Sequence, residues 1–252
     1  MFKAQCSMFK AQSRRAIVMG ASSGIGREVA RMLAERGWTV GVAARRLGES
    51  SPQSFPDAGN VVAARIDVTD ADAGEQLLKL IERVGGMDLY FHASGIGKQN
   101  RELHEDIELR TMETNAMGFT RMVGTAYRYM ATHGGGHIAV ISSIAGTKGL
   151  GPAPAYSATK ALQNTYIQAL EQLSNARQLN IRFTDIRPGF VDTDLLSDGN
   201  RYPLLLDKVK VAEDIVRSIE RHRHVRVIDW RWRTITAFWR LIPRCLWRHF
   251  KL

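Results

Sequence analysis

The chain has 252 residues, 44% hydrophobic and 24% charged, which fits one α/β domain of roughly 250 residues built on a single large core. That balance excludes a disordered, collagen-like or disulfide-framework protein. The two cysteines, Cys6 and Cys245, stand at opposite ends of the sequence, so neither a zinc cluster nor a secreted disulfide scaffold is expected, and a reducing cytoplasm is the simplest address. The net charge is +10, yet residues 230–252 carry six cations and no acid, leaving 29 cations against 25 acids, or +4, for the rest. Basic character is therefore partly a property of the tail, which also holds four of the five tryptophans.

No apolar run of signal-peptide length follows the first basic residues, and no uninterrupted apolar stretch reaches the roughly 18 residues of a spanning helix. Met1-Phe2-Lys3-Ala4-Gln5 recurs as Met8-Phe9-Lys10-Ala11-Gln12, and residues 1–13 are set aside as an N-terminal extension, expected to be poorly ordered. From Arg15 onward short β-rich runs alternate with longer helical patterns, the mark of βαβ units and a parallel sheet. Ala16–Met19 reads as a strand, Gly24–Glu35 as a helix ended by Gly37, Trp38–Ala44 and Val61–Ile66 as strands, and Leu77–Val84 as the core of a helix. Asp88–His92 is a fourth strand, followed by a helical stretch from about Asp106 to Ala131 and a Gly134-Gly135-Gly136 break. His137–Ser142 is the fifth strand, Ala155–Arg177 the longest helix and Ile181–Ile186 the sixth strand, stopping at Pro188-Gly189. A loop near 190–208, a helix near 211–222 and a strand at Val225–Ile228 complete one domain, residues 14–229, ahead of a tail at 230–252.

The first strand runs into Gly20-Ala21-Ser22-Ser23-Gly24-Ile25-Gly26 and then into a helix, the setting a dinucleotide fingerprint requires. Glycines permit a tight turn and close backbone approach, and the free N–H groups of the helix start face a pyrophosphate. The bland alternative is a glycine-rich turn without a ligand. An acid at the end of the second strand would bond a ribose 2′-hydroxyl, whereas arginine accommodates a 2′-phosphate. Here that end reads Ala43-Ala44-Arg45-Arg46, which favours NADP(H) over NAD(H), with Arg45 the first choice and Arg46 the second, unless both are simply solvated loop charges.

Tyr156-Ser157-Ala158-Thr159-Lys160 opens the longest helix, and the i, i+4 spacing sets Tyr156 and Lys160 on one face. A tyrosine with a pKa near 10 is a reluctant acid or base at neutral pH, and an adjacent ammonium favours its phenolate.

The glycine turn, Tyr156-xxx-Lys160 and Ser143 thirteen residues before the tyrosine together resemble the short-chain dehydrogenases/reductases over roughly residues 15–229. Asp67 in Ile66-Asp67-Val68-Thr69, Asn115 in Thr114-Asn115-Ala116-Met117-Gly118 and the run Pro188-Gly189-Phe190-Val191-Asp192-Thr193 match further family marks in chain order. The resemblance implies a single Rossmann-like, doubly wound parallel sheet of about seven strands with helices on both faces, to which the tail adds a C-terminal basic amphipathic helix. It implies Tyr156 as proton donor or acceptor at a carbonyl oxygen, Lys160 as the group that tunes it and holds the nicotinamide ribose, and Ser143 as hydrogen-bond donor to the substrate oxygen. Asn115 would position a water in the proton relay, Asp67 and the Val68 backbone would face the adenine, and Ile186 through Thr193, including Pro188, Gly189, Val191 and Thr193, would wall the nicotinamide. Gly20, Ser22, Ser23, Gly24, Ile25 and Gly26 would cradle the phosphates. Asp67 has an alternative as an ordinary helix cap in Asp67-Val68-Thr69-Asp70, and strand alternation lets only one of Ser142 and Ser143 face the site.

Two positions depart from the family pattern. His92-Ala93-Ser94-Gly95 stands where an Asn-Asn-Ala-Gly element is usual, and a histidine at a buried strand end is more often structural than catalytic. Met19 stands where threonine commonly precedes the first glycine.

Substrate choice falls to Ala145–Pro154 and Asp194–Lys208, which carry Leu150, Leu195, Leu196, Tyr202, Leu204, Leu205 and Leu206 and suggest an apolar substrate. In the tail, Arg233, Arg240, Arg244, Arg248 and Lys251 fall on one side of a helical wheel, with Phe238, Leu241, Ile242, Cys245, Leu246 and Phe250 on the other, interrupted at Pro243. That pattern suits a membrane interface, here the inner membrane surface, or self-packing and dimer contact; nucleic acid is disfavoured. The expected activity is NADP(H)-dependent interconversion of a ketone and a secondary alcohol on a sterol-, bile-acid- or 3-keto-lipid-like substrate, by a homodimer or homotetramer. A 3-oxoacyl carrier-protein reductase and a non-catalytic NADP(H)-binding sensor or scaffold are the competing readings.

Overall fold

Strand β1 (Arg15–Met19) has every side chain after Arg15 buried, and its register joins it in parallel to β2 (Thr39–Ala44) on one side and β4 (Leu89–His92) on the other. Being covered on both faces is what demands near-continuous apolar strands. In a computed structural model, which describes residues 14–47, 58–196 and 202–250, β3 (Val61–Arg65), β5 (Gly136–Ile141), β6 (Ile181–Arg187) and β7 (Val225–Val227) complete a seven-stranded sheet in the order β3-β2-β1-β4-β5-β6-β7. All its pairings are parallel. The N-terminal extension 1–13, part of the loop assigned to substrate choice (197–201) and Lys251 lie outside the described residues.

Helices cover both faces. Against one pack α1 (Gly24–Glu35) and α6 (Lys208–Glu220), through Val29, Leu33, Ile215 and Ile219 onto Val18 and Val42. Against the other pack α2 (Ala73–Val84), α4 (Phe119–Thr132) and α5 (Pro154–Ala176), through Leu77, Ile81, Phe119, Met122 and Ile167 onto Ile17 and Tyr90. Strand order reverses between β1 and β4, and the crevice outside the carboxyl ends of the strands at such a reversal is where open parallel sheets bind ligands.

The long helix expected from about 106 to 131 is three pieces: α3 (Glu105–Met112), a wide π turn at Glu113–Gly118 and α4. Apolar periodicity does not reveal such a turn, and π turns recur at functional sites; this one carries Asn115.

The tail forms α7 (Trp230–Leu241) and α8 (Arg244–Trp247), with Pro243 between them as the sequence requires. The apolar side of the wheel is not the side that packs on the domain. A third face, with Trp232 and Thr236 buried and Trp239 half-buried, rests on the domain, while Phe238, Leu241, Leu246 and Phe250 are exposed alongside the arginines. Indole size and hydrogen bonding decide the orientation. Trp232 packs edge-on to Phe190 at 5.5 Å, Trp239 Nε1 donates to Thr147 Oγ1 at 2.7 Å, and Trp247 Nε1 donates to the Gly149 carbonyl at 2.8 Å. No helix among the described residues is long and apolar enough to cross a membrane.

Candidate active site

The glycine turn sits at the carboxyl end of β1, beside the sheet reversal. Gly20 adopts φ +90°, and a Cβ there would fall 2.5 Å from the Ser94 amide nitrogen; one at Gly26 would fall 2.3 Å from the Gly20 carbonyl oxygen. Only glycine permits this approach of turn, helix start and the β4 loop. The first turn of α1 contains no acid, and its N-cap, Ser23, makes no side-chain capping bond, so the positive helix start is not already neutralised. Ser22, Gly24 and Ile25 are half-buried along the same turn. The Thr193 methyl would lie 3.4 Å from a Cβ on Gly24, which brings the segment after β6 to the turn. A cradle that a single Cβ would fill, at a helix start free of acid, fits a dinucleotide pyrophosphate.

Arg45 and Arg46 are exposed at the end of β2, and Arg45 Nε stands 3.9 Å from Asp67 Oδ2 at the end of β3. Asp67 Oδ1 accepts from the Thr69 amide and hydroxyl at 3.1 and 2.8 Å, and the Val68 carbonyl accepts from Arg121 at 2.8 Å. Asp67 thus closes its own turn rather than capping a helix, since the N-cap of α2 is Asp72, and keeps its other oxygen towards Arg45.

On the other side of the reversal, the two serines after β5 separate as strand alternation requires. Ser142 donates a short hydrogen bond to buried Asp185, which also holds Arg187 through contacts of 2.6 and 2.8 Å. Ser143 turns the other way: its Oγ accepts from the Ala145 amide at 3.0 Å and hydrogen-bonds the Tyr156 side chain. Lys160 Nζ lies 5.6 Å from the centre of the Tyr156 ring. The structure therefore brings Ser143, Tyr156 and Lys160 together.

The expected dominance of Lys160 over the tyrosine pKa is not what the geometry gives. Burial pushes the Tyr156 phenol above its ordinary value, and the Ser143 hydrogen bond opposes that shift. The Lys160 ammonium is directed elsewhere, donating to the Ile141 carbonyl and to Gln163 Oε1, each at 3.0 Å. Burial lowers its own pKa to about 8, against the pull of the Asp185 carboxylate.

Asn115 is fully buried and clamps Ile96 through both amide atoms at 2.9 and 2.7 Å. Its carbonyl accepts from Gln163 Nε2 at 2.8 Å, so the Gln163 amide joins Asn115 to Lys160, a link for which the resemblance implies a water. The motif reading passed over Gln163; its place three residues after Lys160 on α5 was the available signal.

Beyond β6, Pro188 and Val191 are buried and Val191 bridges to Leu206, while Ile186, expected to wall the nicotinamide, lies wholly in the core. Gly189 is covered by the tail, since a Cβ there would fall 2.2 Å from Trp232 Nε1. His92 is a core residue. Its Nδ1 bonds the Tyr90 hydroxyl at 2.9 Å, its ring meets Phe119 edge-on, and burial with the nearby Lys160 charge lowers its pKa to about 3 despite the Ser94 backbone.

An oxidoreductase of Myxococcus xanthus is 32% identical over 242 residues, covering 92% of this chain and 94% of that protein. A Staphylococcus saprophyticus oxidoreductase is 31% identical, covering 87% and 97%. Among solved structures, a variant of the actinorhodin polyketide ketoreductase with NADPH superimposes with a TM-score of 0.70 at 28% identity, covering 82% of this chain and 90% of that one. ElxO with NADP bound superimposes with a TM-score of 0.77 at 21% identity, covering 88% and 99%, a likeness of fold. The family model for short chain dehydrogenase matches residues 14–202, and the chain belongs to that family of oxidoreductases.

Proposed function

We propose that the protein interconverts a lipophilic ketone and its secondary alcohol, using NADP(H) in preference to NAD(H). The observation that carries this reading is the meeting of Ser143, Tyr156 and Lys160 at the same strand ends as the Gly20–Gly26 turn. When bound, the nicotinamide supplies or accepts the hydride at the carbonyl carbon. Tyr156 gives its phenolic proton to the carbonyl oxygen in reduction and recovers it in oxidation, and Ser143 donates a hydrogen bond to that oxygen as charge develops, help worth about 3 kcal/mol for such a donor. Lys160, its ammonium anchored at the Ile141 carbonyl and Gln163, holds the nicotinamide ribose, and Asn115 holds the loop at Ile96 and, through Gln163, the ammonium. Gly20, Ser22, Ser23, Gly24, Ile25, Gly26 and Thr193 hold the pyrophosphate. Arg45, with Arg46 beside it, takes the 2′-phosphate, and Asp67 and Val68 border the adenine, while Pro188, Gly189 and Val191 back the nicotinamide.

The NADP-bound and NADPH-bound relatives among the structural neighbours and the two exposed arginines support the choice of cofactor; half-buried Leu150, Leu204 and Tyr202 support an apolar substrate. Assembly as a homodimer or homotetramer belongs to the same proposal. The test follows NADPH oxidation against sterol, bile-acid, 3-keto-lipid and acyl-carrier ketones. Turnover on a lipid ketone, lost in Tyr156→Phe with NADPH binding retained, is expected; unchanged turnover in that variant refutes the catalytic assignment. Arg45→Ala should weaken NADPH far more than NADH, and equal losses refute the phosphate role.

A further inference from the structure

We infer that the outer face of the tail is a docking surface for an anionic lipid bilayer. The inner face is already satisfied by Phe190, Thr147 and Gly149. The outer face is not: Trp230 is 68% exposed, Phe238 68% and Leu241 77%, and beyond the Pro243 break Leu246 and Phe250 are also exposed. At about 100° per residue, Trp230, Leu241 and Phe238 fall within about 80° of one another, and Arg233 and Arg240 occupy the adjoining flank. Arg244 and Arg248 continue the exposed basic edge along α8. Residues 230–250 contain no acid, and the one acid adjoining them, Asp229, is held by Arg231 at 2.9 Å.

An exposed face with aromatic and leucine side chains on one side and arginines on the other suits a helix lying at the headgroup boundary, apolar groups down and cations at the phosphates. A second copy is the poorer occupant. A two-fold contact sets the same patch against itself, which would put arginines against arginines with no carboxylate in the patch to neutralise them. The bilayer supplies both the missing negative charge and an apolar depth. The tail also holds Thr147 to Gly149, on the segment that leads into the helix of Tyr156, so docking would bring that side of the molecule to the lipid surface. The inference stands on the tail's own geometry and does not depend on the substrate proposed above.

The test is co-sedimentation of the full chain with vesicles of phosphatidylcholine alone and of phosphatidylcholine with phosphatidylglycerol, at low and high salt. Two exposed double variants accompany it, Arg233→Gln with Arg240→Gln and Phe238→Ser with Leu241→Ser, each checked for an unchanged melting temperature. The expected result is binding to the anionic vesicles that high salt weakens. Neutralising two arginines should lower the partition coefficient by about 30-fold, the equivalent of about 1 kcal/mol per cation, and the apolar pair should also lose binding. Equal binding to both vesicle types, or parent-like binding by both variants, overturns the inference. So does a dimer that Phe238→Ser with Leu241→Ser converts to monomer, or salt-sensitive binding to duplex DNA without binding to vesicles.

Discussion

Replacing Lys160 by methionine separates the electrostatic cost of the site from its chemistry. Burial lowers the ammonium pKa from 10.5 to about 8, so the folded chain holds this proton less tightly than the unfolded chain does. The full penalty is present below pH 8, about 3.4 kcal/mol at about 1.36 kcal/mol per unit, and is relieved as pH rises from about 8 towards 10.5. Between pH 7 and pH 10 the parent should therefore gain about 2.5 kcal/mol relative to Lys160→Met, which has no proton to lose. At pH 7 alone the comparison is less informative, because the variant also loses the hydrogen bonds to Ile141 and Gln163, and these offset part of what removal of the buried charge contributes. The assay is urea unfolding of both chains at several pH values, where this gain corresponds to about 1 M in the relative midpoint. Parallel stability curves, agreeing within about 0.5 kcal/mol across that range, would refute a depressed ammonium at this position.

Three further perturbations follow from contacts in the same region. Gly189→Ala places a methyl against the Trp232 indole and should cost about 1–3 kcal/mol by overpacking, with faster trypsin cleavage in the tail; an unchanged melting temperature and cleavage rate would contradict the close approach. Asp185→Asn removes the charge that holds Arg187, whose side chain is 14% exposed, and should cost about 3 kcal/mol in denaturant unfolding. It should also move the Lys160 titration below pH 8, since the Asp185 carboxylate raises that pKa, and an unchanged titration would show that the two charges are not coupled. Gln163→Leu leaves the Asn115 carbonyl and one ammonium proton without their buried partner. It should lower stability by about 2–4 kcal/mol, whereas Leu162→Ala at a more exposed position should cost well under half as much.

The order of strands and helices could be read from the chain because the inner strands are buried on both faces and the helices that cover the sheet on one, which imposes distinct apolar periods. The glycine turn was legible for a related reason: at Gly20 and Gly26 no side chain fits, so the requirement appears directly as residue type. Tyr156 and Lys160 are joined by a local spacing, and Arg45 by its place at a strand end. These features depend on neighbours in sequence or on one element's own geometry.

Tertiary contact decided the rest. Which serine faces the tyrosine depends on Asp185, 43 residues beyond Ser142. What holds the Lys160 ammonium depends on Ile141 from another strand and on a glutamine whose own partner lies 48 residues away. The tail carries three usable faces, and amphipathicity alone cannot choose among them. Thr147, Gly149 and Phe190 select the tryptophan face because they offer hydrogen-bond acceptors and an aromatic edge that indoles satisfy. Periodicity records how much of an element must be buried, whereas the partner that buries it, and the burial that sets a pKa, exist only once distant segments meet.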